Sequence, residues 1–357
     1  MSGKYRVLVV GLGNMGMSHA LAYARIDGFE VAGLCERHID RRQLPAVLAA
    51  APKFTRFEDA LAAVKPDVVS INTWSDTHAD YAVKAMEAGA HVFVEKPLAE
   101  TVADAERVIA AAKRLKKKVV IGYILRHHPS WTQFIETART LGTPMVFRMN
   151  LNQQSSGKEW ETHKRLLQTL SPIVDCGVHY VDVWCQIVKA KPVSVHAVGA
   201  RLTEDMPPGM YNYGHFEVRF EDGSVGWYEA GWGPMMSETA FFVKDAIGPK
   251  GSVSIVVADA GGPAPKSADI NTHTMTNQIL VHPSRLAADG TLAEPDRRIS
   301  MRDEPNHDQL CEREQRFLLK AIEEDMDLGE HMADAVKSLA IVLAADRSVR
   351  TGEVVRL

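Results

Sequence analysis

The 357-residue chain is poor in several features that would each point to a particular class of protein. Its four cysteines lie far apart without a Cys-x-x-Cys pair, which argues against a disulfide framework and a zinc ribbon. No apolar run approaches the ~20 residues that a membrane-spanning helix needs. The first predicted strand begins almost at once, so we expect no signal peptide and a cytoplasmic location.

Charge of one sign is not in large excess either, because the formal net charge is -4. This balance gives no electrostatic reason to expect nucleic acid or a membrane as a partner. The one basic cluster, residues 113–118, stands where a helix is predicted to end, and cations there complement the helix dipole. A chain with 46% hydrophobic residues and this length suits two globular domains, and we expect its partner to be a small molecule.

The first strong feature is residues 5–19, where an apolar run breaks into three spaced glycines. Gly11 permits a tight turn, Gly13 lets a pyrophosphate approach the backbone, and Gly16 lets the following helix pack against the strand. The helix that opens after them presents free N–H groups and a positive dipole end to a doubly negative group. The pattern is typical of a dinucleotide site.

A second predicted strand, residues 30–36, ends in Glu36, twenty residues after Gly16. A carboxylate at this place can accept hydrogen bonds from both hydroxyls of an adenosine ribose and repels a 2′-phosphate, which favours NAD over NADP. Arg37 follows directly and could instead receive a 2′-phosphate, so NADP remains the alternative. A glycine-rich turn followed by a solvated acid is the purely structural alternative.

Short apolar strands and helices alternate over the first 122 residues. We predict six β/α units that form a Rossmann-type, doubly wound parallel sheet, in which ligands bind beyond the carboxyl ends of the strands. Gly11, Glu36, Thr73 and Lys96 all fall at such ends. The N-terminal domain is therefore predicted to bind NAD(P).

From residue 123 to residue 357 the strand patterns lengthen and alternate between apolar and polar residues. They predict a C-terminal α+β domain with a large, open, mainly antiparallel sheet that serves substrate binding and oligomerisation. Residues 207–213 and 259–277 are predicted as long loops, and residues 309–323 and 330–350 as closing helices. The exposed apolar positions of an open sheet favour a homodimer or homotetramer.

Residues 174–182 are predicted as a helix with Asp175, His179 and Asp182 on one face. A histidine with a pKa near ~6.5 can take up a proton at neutral pH, and a carboxylate one turn away can fix its tautomer. By spacing alone, an ordinary helix-surface pair of Asp and His is the stronger explanation. Asp182 could equally cap a loop or pair with an arginine.

Three motifs together resemble the Gfo/Idh/MocA oxidoreductases, named after glucose-fructose oxidoreductase and inositol dehydrogenase. They are Gly-Leu-Gly-Asn-Met-Gly at residues 11–16, Glu-Lys-Pro at 95–97 and Asp-Cys-Gly-Val-His at 175–179. The resemblance covers most of the chain. It implies hydride transfer between the nicotinamide and a secondary alcohol, or lactol, of a sugar, inositol or related polyol. It also implies that Lys96 lies by the nicotinamide and that the next proline is cis.

The resemblance implies catalytic roles for Lys96, Asp175 and His179. His179 would be the general base, Lys96 would hydrogen-bond the reacting oxygen, and Asp175 would position and balance the pair. A buried lysine is costly without an acid nearby, so we expect Lys96 and Asp175 to be close together. The expected cofactor-binding residues are Gly11, Gly13, Asn14, Met15, Gly16, Glu36, Arg37, Thr73, Trp74, His78, Glu95, Lys96 and Pro97. The expected substrate-binding residues are Lys96, Arg126, Trp160, His163, Asp175 and His179.

Other chemistries remain open at this stage. We expect no metal, because His127 and His128 are adjacent and no further ligand stands at a suitable spacing. One alternative function is an NAD-assisted glycosidase that oxidises its sugar transiently and regenerates NAD. The other is a non-catalytic dinucleotide-binding regulator, which would need the glycine-rich motif but not the lysine, aspartate and histidine.

Overall fold

The computed structural model describes residues 3–238, 243–256, 266–269, 276, 278–302 and 304–357. The loop predicted at residues 259–277 falls mostly outside the described residues. Among the helices that are described, none is long and apolar enough to cross a membrane.

Contacts between residues divide the chain into two units. The first unit contains Met1–Ile124 and His307–Val336, and the second contains Leu125–Asn306 and Lys337–Leu357. A single boundary after residue 122 would leave residues 307–336 in the second domain, whereas their contacts group them with the first unit.

Six parallel strands form the sheet of the first unit. They are β1 (Tyr5–Val10), β2 (Phe29–Cys35), β3 (Lys53–Phe54), β4 (Val68–Ile71), β5 (His91–Val94) and β6 (Val119–Ile121). Their order in space is β3-β2-β1-β4-β5-β6, which reverses direction between β1 and β4. This confirms the predicted doubly wound sheet, whose ligands bind outside the strand ends at such a reversal.

Five helices alternate with these strands. They are α1 (Asn14–Arg25), α2 (Ala46–Ala49), α3 (Phe57–Val64), α4 (Ser75–Glu87) and α5 (Val102–Leu115). The Thr101 side chain accepts a hydrogen bond from the backbone N–H of Asp104 at 3.1 Å, which satisfies one free donor at the start of α5. The central strands are fully buried from Val7 to Val10 and from Val68 to Ile71, because helices cover both faces of a parallel sheet.

His91, at the start of β5, makes the stability of the first unit depend on pH. Its Nδ1 accepts the Lys118 backbone N–H at 2.9 Å, so the ring is neutral when this bond is made. Burial, together with the charges of Lys117 and Lys118, lowers the pKa of His91 to about 4. In an unfolded chain the pKa of histidine is about 6.5. Between these values the unfolded state binds more protons, so the free energy of unfolding falls as the pH falls.

We expect His91→Gln, which retains an acceptor for the Lys118 N–H, to flatten this dependence. In the wild type, the contribution of the neutral His91 ring to the free energy of unfolding is fully present above pH ~6.5. It is lost as the pH falls toward ~4. Its size is about 1–2 kcal/mol after a discount for the partial exposure of the ring. Urea unfolding of both proteins across this pH range measures the difference. Parallel curves for the two proteins would contradict the assignment.

Nine strands form the mixed sheet of the second unit. They are β7 (Val146–Gln154), β8 (Pro192–Ala200), β9 (Tyr213–Phe220), β10 (Val225–Gly233), β11 (Lys244–Gly248), β12 (Gly251–Val256), β13 (Gln278–Pro283), β14 (Arg297–Ser300) and β15 (Val355–Arg356). The order is β14-β13-β12-β11-β7-β10-β9-β8-β15, and only the β7–β10 pair among these described strands is parallel. The predicted open, mainly antiparallel sheet is thereby confirmed.

Three helices lie in the middle of the chain, and two more lie between β14 and β15 in the sequence. They are α6 (Pro129–Arg139), α7 (Gly157–Leu166), α8 (Pro172–Ile187), α9 (His307–Glu323) and α10 (Gly329–Thr351). Helix α8 packs on β10 through a row of buried apolar side chains, and α9 packs on α1 within the first unit. The row on α8 is Val174, Val178, Val181 and Cys185. Each buried valine contributes about 1.5 kcal/mol or more, so this row fixes which face of α8 remains for other uses.

Candidate functional site

The three glycines after β1 have three different surroundings. Gly11 has a positive φ of 81°, which favours glycine at this turn. A Cβ built on Gly16 would lie 1.9 Å from the Gly11 carbonyl oxygen, so helix and strand can meet here only through glycine. A Cβ built on Gly13 would meet no described heavy atom within 4 Å. Gly13 therefore borders open space, as a residue facing a pyrophosphate should.

The start of α1 is suited to an anion. Gly13 is its N-cap and supplies no side-chain hydrogen bond, and the first turn, with Asn14, Met15 and Gly16, contains no acidic residue. Its N–H groups and positive dipole end are therefore not neutralised by the helix's own side chains. This donor set fits the pyrophosphate of a dinucleotide.

Glu36 follows the end of β2, beside the glycine turn. Its Oε2 accepts the Leu12 backbone N–H at 2.8 Å, and an Arg42 guanidinium nitrogen lies 3.9 Å from the same oxygen. This leaves Oε1 as an acceptor, held in a fixed direction, which fits a ribose hydroxyl. Arg37 is exposed, as a residue on the rim of such a site would be.

His78 joins the segments that follow β4 and β5. One ring nitrogen lies 2.7 Å from the Pro97 carbonyl oxygen, and the other lies 3.1 Å from that of Thr73. Burial lowers the pKa of His78, although the two carbonyl partners act in the opposite direction. The Lys96–Pro97 peptide bond is cis, as the resemblance implied. Trp74 is 54% exposed, so its indole face is accessible to a ligand.

Glu95 is buried between β5 and α1. Its Oε1 lies 2.7 Å from Nε2 of His19, and its Oε2 accepts the backbone N–H of Lys96 at 3.2 Å. Burial raises the pKa of Glu95, but the hydrogen bond from His19 and the charge of Lys96 act in the opposite direction, and that pKa lies below its usual range. Glu95 is therefore a buried carboxylate directly behind the lysine of the Glu-Lys-Pro motif.

In the second unit, α8 presents Asp175 and His179 on a half-buried face, and every other residue from 172 to 182 is buried. The helix begins with Ser171, whose Oγ accepts the Val174 N–H at 3.3 Å, and Pro172 occupies its first turn. This geometry places an acid and a histidine, one turn apart, on the half-buried face of α8.

Polar residues that were not anticipated border this face of α8. Oε1 of Gln153, on β7, accepts the Trp232 indole N–H at 2.9 Å and lies 3.7 Å from the Cys176 thiol. The same thiol lies 3.7 Å from a carboxylate oxygen of Asp175. The sequence did contain a signal for these residues, which is the run of amide side chains at the end of β7. Consecutive amides in a buried strand need hydrogen-bond partners.

His163, on α7, is placed beside this group of residues. Its ring stacks on Trp232 with centroids 4.7 Å apart, and Nδ1 lies 2.8 Å from the Ser155 hydroxyl. Burial lowers the pKa of His163 to about 4, although the charge of Asp175 acts in the opposite direction. His163 is therefore neutral at physiological pH. Trp160 is only 8% exposed and packs into the unit.

Arg126 and Asp182 form a buried ion pair. Nε of Arg126 donates to Oδ2 of Asp182 at 2.8 Å, and Nη2 donates to Oδ1 at 2.6 Å. Gln186 adds a third donor to Oδ2 at 3.1 Å. The sequence left open whether Asp182 caps a loop or pairs with an arginine, and the structure shows the pair with arginine. Because this bidentate pair already engages Arg126, its predicted contact with substrate gains no support from the geometry.

One group of described residues has the composition of a metal site. Ligand atoms of His19, Cys311 and Glu314 all lie within 4.8 Å of one another. Both ring nitrogens of His19 are engaged, however, by Glu95 at 2.7 Å and by Gln315 at 2.9 Å. A metal would have to break one of these hydrogen bonds, so we interpret His19 as a hydrogen-bonding residue rather than a metal ligand.

Curated relatives share part of the chain. An inositol 2-dehydrogenase of Salmonella paratyphi B is 31% identical over 196 residues, which are 53% of this chain and 56% of that protein. A UDP-N-acetylglucosamine 3-dehydrogenase of Acidithiobacillus ferrooxidans is 30% identical over 200 residues, which are 56% of this chain and 59% of that protein. The chain thus matches little more than half the length of these relatives.

Solved structures match the whole chain. The WlbA dehydrogenase from Bordetella pertussis, in complex with NADH and UDP-GlcNAcA, has a TM-score of 0.76 at 20% identity and covers 99% of each chain. This likeness establishes the fold. Residues 5–123 match the Gfo/Idh/MocA profile described as an oxidoreductase family with an NAD-binding Rossmann fold, and residues 135–253 match a C-terminal domain of the same family. The chain, two thirds of which these profiles cover, belongs to the Gfo/Idh/MocA oxidoreductase family.

Proposed function

We propose that this protein is an NAD-dependent dehydrogenase that oxidises a secondary alcohol, or lactol, of a sugar, inositol or related polyol. The observation that carries the proposal is the half-buried pair Asp175 and His179 on an otherwise buried stretch of α8. An ordinary ion pair between Asp and His on a solvent-facing helix surface would not be surrounded by buried residues. Relatives named as inositol and UDP-N-acetylglucosamine dehydrogenases support the class of substrate.

The first unit would bind the cofactor. The N–H groups at the start of α1 would hold the pyrophosphate, with Gly13 allowing its close approach. Oε1 of Glu36 would accept a hydrogen bond from the adenosine ribose, and its charge would repel the 2′-phosphate of NADP. Thr73, Trp74, His78 and the Glu-Lys-Pro segment follow strand ends, where the nicotinamide half would bind.

The second unit would bind the substrate. Asp175, His179 and the neutral His163 offer an acid, a base and a ring donor or acceptor, which suits a ligand rich in hydroxyl groups. Gln153 would contribute its amide N–H groups, because its oxygen already accepts from Trp232. Trp160 and Arg126 would support this site through packing and the ion pair with Asp182.

The bound nicotinamide supplies the hydride acceptor for this reaction. We assign Nε2 of His179 as the atom that takes the hydroxyl proton, because Nδ1 of this ring is buried. The ammonium group of Lys96 would donate a hydrogen bond to the reacting oxygen as it gains negative charge. Asp175, one helical turn before His179, would orient the imidazole and stabilise its protonated form.

The experiment is a search for turnover with the purified protein. NAD or NADP is supplied with a panel of inositols, aldoses, nucleotide-linked N-acetyl sugars and glycosides, and formation of the reduced nicotinamide is followed by absorbance. We expect reduction of NAD with at least one polyol and a clear preference over NADP. Cleavage of a glycoside without net NADH would instead favour the NAD-assisted glycosidase. Cofactor binding without any turnover would favour a regulator.

A further inference from the structure

A chain of hydrogen bonds runs from α9 to the backbone of Lys96 inside the first unit. Gln315 Nε2 lies 2.9 Å from His19 Nδ1, His19 Nε2 lies 2.7 Å from Glu95 Oε1, and Glu95 Oε2 accepts the Lys96 N–H at 3.2 Å. His19 and Gln315 are fully buried, and Glu95 is 6% exposed. This path links residues 296 positions apart in the sequence.

The chain has one consistent assignment of protons. Because the Gln315 amide nitrogen can only donate, Nδ1 of His19 accepts and Nε2–H donates to Glu95. Glu95 then accepts one hydrogen bond on each oxygen, from His19 and from the Lys96 backbone. The site is tight on its remaining side, since a Cβ on Gly122 would lie 3.0 Å from Glu95 Oε2. These contacts together fix the position of the Glu95 carboxylate.

A second carboxyl group nearby has a different environment. Both oxygens of Glu314 are buried and have no hydrogen-bond partner among the described residues. Burial, and after it the charge of Glu95, raises the pKa of Glu314 well above its usual range. Burial thus disfavours the charged form of Glu314. In the buried cluster of His19, Glu95, Glu314 and Gln315, the carboxylate that contacts the Lys96 backbone is Glu95.

We propose that Glu95 is a positioning residue for Lys96, held in place by His19 and Gln315. Its carboxylate fixes the backbone at Lys96 and places a negative charge beside the lysine's ammonium group. This rests on the proposed function, in which Lys96 hydrogen-bonds the reacting oxygen. Helix α9 thereby acts on Lys96 through Gln315, His19 and Glu95.

Two identical substitutions in the same cluster test the proposal. In Glu95→Gln, the amide oxygen can still accept from His19, but its NH₂ group then faces the Lys96 N–H. We expect kcat to fall ~10–100-fold, as for a displaced catalytic group, while KM for NAD changes less than about threefold. In Glu314→Gln, a buried carboxyl group that makes no hydrogen bond to Glu95 or Lys96 becomes an amide of the same shape, and we expect kcat within about twofold of the wild type.

A second readout does not depend on turnover. Competitive acylation followed by mass spectrometry gives the rate at which the Lys96 amine is modified. Without the Glu95 carboxylate, the Lys96 backbone loses a hydrogen bond and the Lys96 amine loses a neighbouring negative charge. We therefore expect the rate of Lys96 acylation in Glu95→Gln to rise at least about threefold. Glu314→Gln should leave the rate unchanged. This measurement remains decisive even if no polyol is oxidised and the proposed function fails.

A second pair of variants distinguishes the proposed role from a loss of folding. The amide of His19→Gln can still donate to Glu95, whereas His19→Leu cannot. We expect His19→Gln to recover most of the kcat and the slow Lys96 labelling that His19→Leu loses, with both proteins folded by circular dichroism. The proposal is overturned if Glu95→Gln keeps wild-type kcat and labelling, or if Glu95→Gln and Glu314→Gln lose activity equally. It is also overturned if His19→Gln and His19→Leu are indistinguishable.

Discussion

Replacement of His179 with alanine lowers kcat by about 10²–10⁴-fold, which is the range that a general acid–base group contributes. The reason is that His179 is the only histidine from residue 172 to residue 182, and histidine is the side chain best suited to take up a proton at neutral pH. The affinity for NAD, measured by calorimetry, should stay within about threefold, because the pyrophosphate site belongs to the first unit. Steady-state kinetics with the best substrate of the panel measure the loss.

His196→Ala is the matched control for this substitution. His196 lies on β8 between Val195 and Ala197, which are buried, so its ring projects from the opposite face of the sheet. The same side chain is removed from the same unit, and we expect kcat to stay within about twofold. A His179→Ala enzyme with unchanged kcat would show that another group takes the proton. Equal losses in both variants would indicate a general defect of the unit.

Substitution of Gly16 with alanine removes both stability and cofactor binding. The new Cβ would lie 1.9 Å from the Gly11 carbonyl oxygen and 3.1 Å from the Asn72 Cβ, so α1 must move away from β1. We expect a loss of about 1–3 kcal/mol in the free energy of unfolding, as for other overpacked sites. The displaced helix start should also bind NAD at least about tenfold more weakly, which calorimetry measures.

Gly13→Ala separates the effect on stability from the effect on NAD binding. Its Cβ would meet no described heavy atom within 4 Å, so the free energy of unfolding should change by less than about 0.5 kcal/mol. The methyl group would nevertheless occupy the space in which we propose that the pyrophosphate lies, and NAD affinity should fall about tenfold or more. Unchanged affinity in Gly13→Ala would place the pyrophosphate elsewhere. Unchanged stability in Gly16→Ala would contradict the close approach of α1 and β1.

Much of the first unit could be predicted because its elements depend on local patterns. The predicted alternation of short strands and helices over residues 1–122 agrees with the structure. Apolar runs, capping residues and the glycine motif each act within a few residues. By contrast, β3 has no such local signal, since a strand of two residues is too short to show a pattern.

The second unit was predicted less completely because its strands carry buried polar residues. β11 begins with Lys244 and Asp245, which are 1% and 8% exposed, and such residues hide the apolar signal of a strand. Likewise, β7 extends to Gln154 through buried amides, which interrupt the alternation of apolar and polar residues. These groups are stable in the interior only because partners from other elements satisfy them.

The sequence by itself determined the order of strands and helices in the first unit, the glycine turn, the acid after β2, and the row of Asp175 and His179 on one helix. All of these follow from spacing along a regular backbone. Only the tertiary structure decided that Asp182 is bound by Arg126 and that Glu95 is held by His19 and α9. The reason is that a buried polar side chain takes its partner from whatever residue the packing of distant elements brings within hydrogen-bond distance, and no local spacing specifies that residue.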